Sequence, residues 1–200
     1  MSGAAPAAPA VPDAQATAEP TAEPTAGVTT EVSAEEFRTA ARSWTSGVAV
    51  VTARAGEEVF AKTVSSFGTL SLDPPLVTVA IGRHSPLVAA ALAGGRFGVS
   101  VLTDRQAELA RRFATPGAGR APGAFTAAPM RTAATGAPLL EAALAWFDCR
   151  LHAALPGGDH TILVGRVAAA SRSTGAPLLY HDGQYRLLAP TPLTTTGVGA

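Results

Sequence analysis

Residues 143–155, ALAWFDCRLHAAL, alternate in character along most of their length. Ala145, Phe147, Cys149, Leu151 and Leu155 fall on one side, and Trp146, Asp148, Arg150 and His152 on the other. A two-residue repeat specifies a long extended strand with one buried face. Such a strand needs neighbours to pair its backbone, and the chain offers them. GVAVVTA (47–53) and VFAKTVSSF (59–67) are β-branched runs on either side of Gly56, the composition of a hairpin. LVTVAIG (76–82) is apolar at both parities, which predicts a deeply buried strand. RFGVSVL (96–102) and TILVGRVAAAS (161–171) add two more, and PLLYHDGQYRLL (177–188) a final one with a bend at Asp182-Gly183. Asp73-Pro74-Pro75 must turn the chain, because neither proline has an N–H to give to a ladder.

Helices are few and short. Ser33 and Glu36 form a capping-box pair ahead of about ten helical residues ending near Arg42. Ser85-Pro86 opens a second helix that closes at Gly94-Gly95. Thr103 and Gln106 repeat the capping pattern before a third, whose Ala107, Leu109, Ala110 and Phe113 share a side. About seven strands joined mostly by turns, with two or three short peripheral helices, predict a mainly β antiparallel barrel rather than a βαβ sheet. The Gly/Pro/Ala/Thr-rich stretch 115–138 is long enough to be a functional loop.

Charge is unevenly placed. Residues 1–36 hold six acidic residues and no basic one, so a chain of formal net charge zero carries nearly +6 over the remainder. The tail 1–32, with its TAEPTAEP repeat, buries little and lacks many backbone donors, so it is expected to be disordered; 33–188 form the domain, and 189–200 a second loose tail. No basic run interleaved with aromatics points to nucleic acid, and no apolar stretch approaches the roughly 20 residues of a membrane helix. Cys149 is the only cysteine, which precludes an intrachain disulfide and suits a reducing, cytoplasmic setting.

Several kinds of site are excluded by spacing. GAGRAPG (117–123) has proline where a dinucleotide fingerprint needs its last glycine, and no strand precedes it. The four histidines include no i, i+4 pair around a glutamate, and no metal site is expected. Cys149, on the buried parity of its strand, reads as a core residue, and VSSFG lacks the glycine-flanked serine of a hydrolase elbow. What remains is TVSSFGTLSLDPPL (63–76), where Thr63, Ser65, Ser66 and Thr69 crowd together. Two readings fit: a solvated strand face, or a cradle that hydrogen-bonds a planar, acceptor-rich ligand without ionising any side chain. Ser85 has the same duality, as a helix cap and as a phosphate contact.

The order of the blocks resembles the flavin reductase-like family over residues 36–188: WTSGVAVVT (44–52), the hydroxyl-rich run with its DPP turn, GRFGVSVL (95–102), LARRFA (109–114), GDHTILVGRV (158–167) and PLLYHDGQYRLL (177–188). The resemblance implies an antiparallel Greek-key split β-barrel and an NAD(P)H:flavin oxidoreductase, hydride passing from nicotinamide C4 to flavin N5. It implies a homodimer with flavin near the subunit interface, FMN or FAD as the flavin, and NADH or NADPH as donor. The partner would be a monooxygenase that receives reduced flavin by diffusion. Carried onto this chain, the flavin contacts fall on Thr63, Val64, Ser65 and Ser66, with Ser46 and Gly47 near the ring. Ser85 and Arg112 fall toward the ribityl and phosphate end, and His160 beside the nicotinamide. Lys62 stands where the family has glycine, and Ser100 where asparagine is frequent. The alternatives are a flavoprotein that retains its flavin for another substrate, and a non-catalytic flavin- or haem-binding barrel.

Overall fold

Three residues, Ser65-Ser66-Phe67, set the shape of the main sheet by joining its two edge strands. In the computed structural model, which describes residues 32–120, 124–126 and 128–189, the elements run as follows. Helix α1 (Ala34–Ala41) precedes β1 (Ser46–Gly47), β2 (Ala49–Ala55), β3 (Glu58–Val64), β4 (Gly68–Leu72) and β5 (Pro75–Gly82). Then come α2 (Pro86–Gly94), β6 (Arg96–Val101), α3 (Ala107–Ala114), β7 (Met130–Arg131) and β8 (Leu139–Leu140). The long pair β9 (Ala145–Gly157) and β10 (His160–Arg172) is followed by β11 (Leu178–His181) and β12 (Gln184–Leu187). Residues from Ala34 on form one unit; the tail expectations for 1–31 and 190–200 lie outside the described residues.

The seven-stranded sheet has the order β3-β2-β6-β9-β10-β5-β4, and every pair in it is antiparallel. Laid flat, its outer strands would be roughly 29 Å apart at normal strand spacing. The link from Val64 to Gly68 reaches about 14 Å at full extension. The sheet therefore curls until β3 and β4 approach each other, although no β3–β4 ladder forms among the described residues. One curled face encloses a core of Val51, Val79, Ile81, Phe97, Val99, Cys149 and Leu163. Gly165 keeps this face closed, since a Cβ there would lie 2.5 Å from the Phe97 ring. On the other face Val48, Val50, Leu102 and Leu140 pack with Ala110 and Phe113 of α3.

The structure departs from the sequence reading at several points. Helix α2 is not peripheral: it is apolar all round and buries Leu87, Val88, Ala90 and Ala91 in the first core. β5 buries only Val77, Val79 and Ile81, its other parity being half-exposed, so it is one-faced rather than deeply buried throughout. PLLYHDGQYRLL is a hairpin and not a single bent strand. Asp182 (φ 47°) and Gly183 (φ 72°) make the left-handed two-residue turn, and β11 pairs both β12 and β1 in a separate small sheet. Asp148 was expected on the solvent side of its strand and is instead fully buried.

Asp148, Thr52 and Ser100 are the buried polar residues among those described, and all three hold one segment. Thr135 donates its backbone N–H (2.7 Å) and its hydroxyl to the Asp148 carboxylate. The Thr52 hydroxyl donates to the Pro138 carbonyl, and Leu140 N–H donates to Ser100 Oγ at 3.0 Å. Gly98 makes room for this segment, because a Cβ would sit 2.2 Å from the Pro138 oxygen. The end of the long loop is thus laid across β2, β6 and β9 as a cover.

Candidate functional site

The four clustered hydroxyls have different fates. Ser66 Oγ donates to the Ala80 carbonyl (2.8 Å) and accepts from the Ala80 N–H (3.0 Å). It completes the β5 edge just beyond the last β4–β5 pair, Gly68 with Thr78. Thr63 donates its hydroxyl to the Ala110 carbonyl at 2.8 Å, tying β3 to α3 and keeping only its acceptor capacity free. Ser65 and Thr69 are exposed, and of these Ser65 lies at the mouth of a cleft.

That cleft, about 190 Å³, is lined by Val48, Thr63, Val64, Ser65, Ala114, Tyr180 and Tyr185. It continues past Tyr180 in two directions. One extension of about 460 Å³ reaches Arg42, Trp44 and Ser46, and another of about 530 Å³ reaches Arg111 and Gln184. Each extension alone is within the range of about 300–1,000 Å³ common to small-ligand sites. The β1–β11 ladder brings Ser46 opposite Tyr180 and Gly47 opposite Leu179. A hydrogen bond of 2.8 Å between Thr45 Oγ1 and His181 Nδ1 fixes the same edge. Tyr180 and Tyr185 meet edge to face at 5.7 Å, and the Arg111 guanidinium lies 5.4 Å from the Tyr185 ring centre. Burial, with Tyr180 beside it, raises the Tyr185 phenol above its usual range against the opposing pull of Arg111, so it remains a neutral O–H donor.

A second cleft, also about 190 Å³, flanks the end of α3: Ala114 lines the first, Phe113 and Thr115 the second. Its polar residues are Lys62, Ser85, Thr115 and Arg120. Ser85 stands at the N-terminus of α2 with no side-chain capping bond, which leaves its hydroxyl available together with the Leu87 N–H, since Pro86 has no N–H and the Val88 N–H donates to the Ser85 carbonyl at 2.9 Å. Arg120 is held by Glu58 at 3.0 Å and by the Phe60 ring at 5.6 Å. Gly119 makes that hold possible, since a Cβ there would run into the Ala61 carbonyl. Arg112 is exposed and lines neither cleft; its neighbour Arg111 and the loop residue Arg120 do. Sequence reasoning missed Tyr180, Tyr185, Arg111 and Arg120. The tyrosines were visible only as members of the terminal strand pattern, and the arginines lie on a helix face and in a loop whose placement depends on packing.

His160 opens β10 opposite Gly82 of β5. Its Nδ1 lies 2.7 Å from Asp159 Oδ1, and that hydrogen bond, together with the charge of the imidazolium, holds the Asp159 carboxyl below the usual range. Gly82 is two residues along β5 from Ala80, the residue clamped by Ser66, so His160 and Ser66 mark rungs about 7 Å apart. Arg83 N–H donates to the Asp159 carbonyl at 3.0 Å and Ser85 N–H to the Gly82 carbonyl at 2.8 Å. The His160 turn is therefore bound to the strand end that leads into Ser85.

A flavin needs an apolar slot for its ring, hydrogen-bonding groups along its polar edge and cations for its phosphate. Val48 and Val64, then Ser65 with the tyrosines, then Lys62 and Arg120 beside Ser85 meet those needs, and the residues present fit. Cys149 plays no part: buried in the first core on β9 and raised to about 12 by desolvation and then by Asp148, its thiol stays protonated.

The profile of the flavin reductase like domain matches residues 41–189. An NADH-dependent FMN reductase of Streptomyces nodosus subsp. asukaensis is 39% identical over 155 residues, 76% of this chain and 84% of that protein. The reductase component of 4-hydroxyphenylacetate 3-monooxygenase from Thermus thermophilus is also 39% identical, over 77% of this chain and 96% of its own. Among solved structures, the flavin reductase component of a bacterial two-component tryptophan halogenase superposes with a TM-score of 0.73 at 39% identity, covering 80% of this chain and all of the other. Sheet order, cleft chemistry and these likenesses agree, and the chain belongs to the flavin reductase-like domain family.

Proposed function

We propose that this protein is an NADH-dependent flavin reductase that takes up FMN, or FAD in its place, and releases it reduced to a separate flavin-dependent oxygenase. The observation that carries the reading is the neutral, hydroxyl-bearing cleft at the end of β3, with Ser65 uncommitted beside two tyrosines and a pair of cations one cleft away. When bound, the flavin supplies the two-electron acceptor for the nicotinamide hydride. The chain's part is to bind, orient and exclude water. Ser65 and Tyr180 hold the ring's polar edge, Thr63 and Val64 form the floor, and Ser46 and Gly47 border the open side. Ser66 positions Ser65 by anchoring the bend to Ala80. Lys62, Ser85 and Arg120 receive the phosphate end in preference to Arg112. His160, oriented by Asp159, places the nicotinamide.

The cleft is open and has few charges, which supports modest flavin affinity and diffusional hand-over. The reductase names of the relatives support NADH and an oxygenase partner. The curled sheet whose edges meet without a ladder supports the Greek-key split-barrel description. Exposed Leu72 (94%), Leu70 (56%) and Leu155 (50%) support a second copy of the chain as the cover of these surfaces. Ser65→Ala and Ser66→Ala separate the roles of the two serines. Ser65→Ala should weaken FMN binding about fivefold to tenfold, one hydrogen bond's worth, with an unchanged melting temperature. Ser66→Ala should lower the melting temperature, because it strands both Ala80 backbone groups. Fluorescence titration with FMN and thermal unfolding read both. Unchanged FMN affinity in Ser65→Ala would remove the cleft assignment.

A further inference from the structure

Four arginines lie side by side across the outer face of the main sheet. Arg96 on β6 pairs directly with Arg150 on β9, which pairs directly with Arg166 on β10. On β2 the ladder to β6 ends at Thr52 with Gly98, and one same-face step further places Arg54 beside Arg96. Gly94 confirms the proximity: a Cβ built there lies 3.1 Å from the Arg54 carbonyl and 3.9 Å from Arg96 Cγ. The intervening residues Ala53, Phe97 and Cys149 are in the core, so the arginines share the opposite face. The row spans about 14 Å over three strand spacings.

Like charges directly opposite each other on a sheet repel, and among the described residues no direct ion pair offsets them. None of the four joins an ion pair or a side-chain hydrogen bond among the described residues. The carboxylate one row along the same face, Asp148, has both oxygens engaged by Thr135. Arg96 Nε is moreover a buried donor with no acceptor, an arrangement that native proteins rarely leave unfilled. A planar guanidinium presents paired N–H groups suited to oxyanions, phosphate above all.

We propose that Arg54, Arg96, Arg150 and Arg166 form a binding site for a diphosphate-class anion, separate from the flavin cleft. Arg54 and Val48 lie about 20 Å apart along β2, and the 135–140 segment crosses the face between them. The anion has two sources, a free polyphosphate or the diphosphate of a dinucleotide, and the separation favours the free one. Calorimetric titration of the full chain with pyrophosphate, at fixed ionic strength, tests this. Saturable binding at one site per chain is expected, weakened about tenfold or more in Arg150→Gln and in Arg166→Gln. Both residues are exposed, so the variants should melt like the parent. Ser65→Ala and saturating FAD should leave pyrophosphate affinity unchanged, whatever the fate of the flavin reading. Absence of saturable heat, or equal affinity in the arginine variants, would overturn the site; competition by FAD would overturn its separateness.

Discussion

Replacing Asp148 by alanine removes the acceptor for two donors at once. Asp148 is fully buried and takes both the Thr135 N–H and the Thr135 hydroxyl. A hydrogen bond to a charged group contributes about 1.5–3 kcal/mol. Allowing for the relief of no longer burying a carboxylate, the loss should be about 3–5 kcal/mol. For a domain of this size that lowers the melting temperature by roughly 8–16 °C. Asp148→Asn is the informative control: its carbonyl can accept from the Thr135 N–H while its NH2 donates to the Thr135 hydroxyl, so about 1 kcal/mol should be lost. Thr135→Val with Asp148→Ala closes a double-mutant cycle and should show coupling of about 1–2 kcal/mol. Thermal and urea unfolding of the parent and these four variants supply the numbers. Equal, large losses for alanine and asparagine would show that the negative charge itself matters, and a loss below about 1 kcal/mol for alanine would show that the segment is not held by this residue.

Other outcomes follow from the same contacts. His160→Ala should raise the KM for NADH more than it changes FMN affinity, and steady-state kinetics with an unchanged KM would dismiss the positioning role. The same variant should raise the Asp159 carboxyl toward the ordinary range, a shift visible by NMR titration. The sign is that of a depressed acid: the His160–Asp159 contact contributes above the ordinary carboxylate range near about pH 4 and is lost as pH falls through the lower folded value. Cys149, with its thiol raised to about 12 in the core, should react with iodoacetamide only as fast as the protein opens. Rapid labelling of the native protein would contradict that burial.

What the sequence made legible was whatever rests on local pattern. The 49–64 hairpin around Gly56 (φ 57°), the Thr103–Gln106 capping pair with its 2.9 Å bond and the long β9 strand follow from composition and spacing alone. The period-two rule misplaced Asp148 because parity gives the face of a strand and not what covers that face; the cover is a loop some ten residues upstream. The hydroxyl cluster is legible in the sequence, but the division of its hydrogen bonds depends on tertiary partners: Ser66 is consumed by β5 and Thr63 by α3, which leaves Ser65. Arg112 was placed by motif, whereas the helix turns its neighbour Arg111 toward the tyrosines. Helix α2 read as a surface helix from its caps, though its lack of any polar face was a signal of burial.

The central claim is that this chain reduces flavin catalytically and lets it go. Under anaerobic conditions, a small amount of protein with excess FMN and excess NADH should bleach the oxidised flavin's visible absorption many times over per protein chain. Bleaching that stops at one bound equivalent would contradict release and point to a retained flavin acting on another substrate. No bleaching, with FAD and NADPH also tried, would contradict the reductase reading altogether.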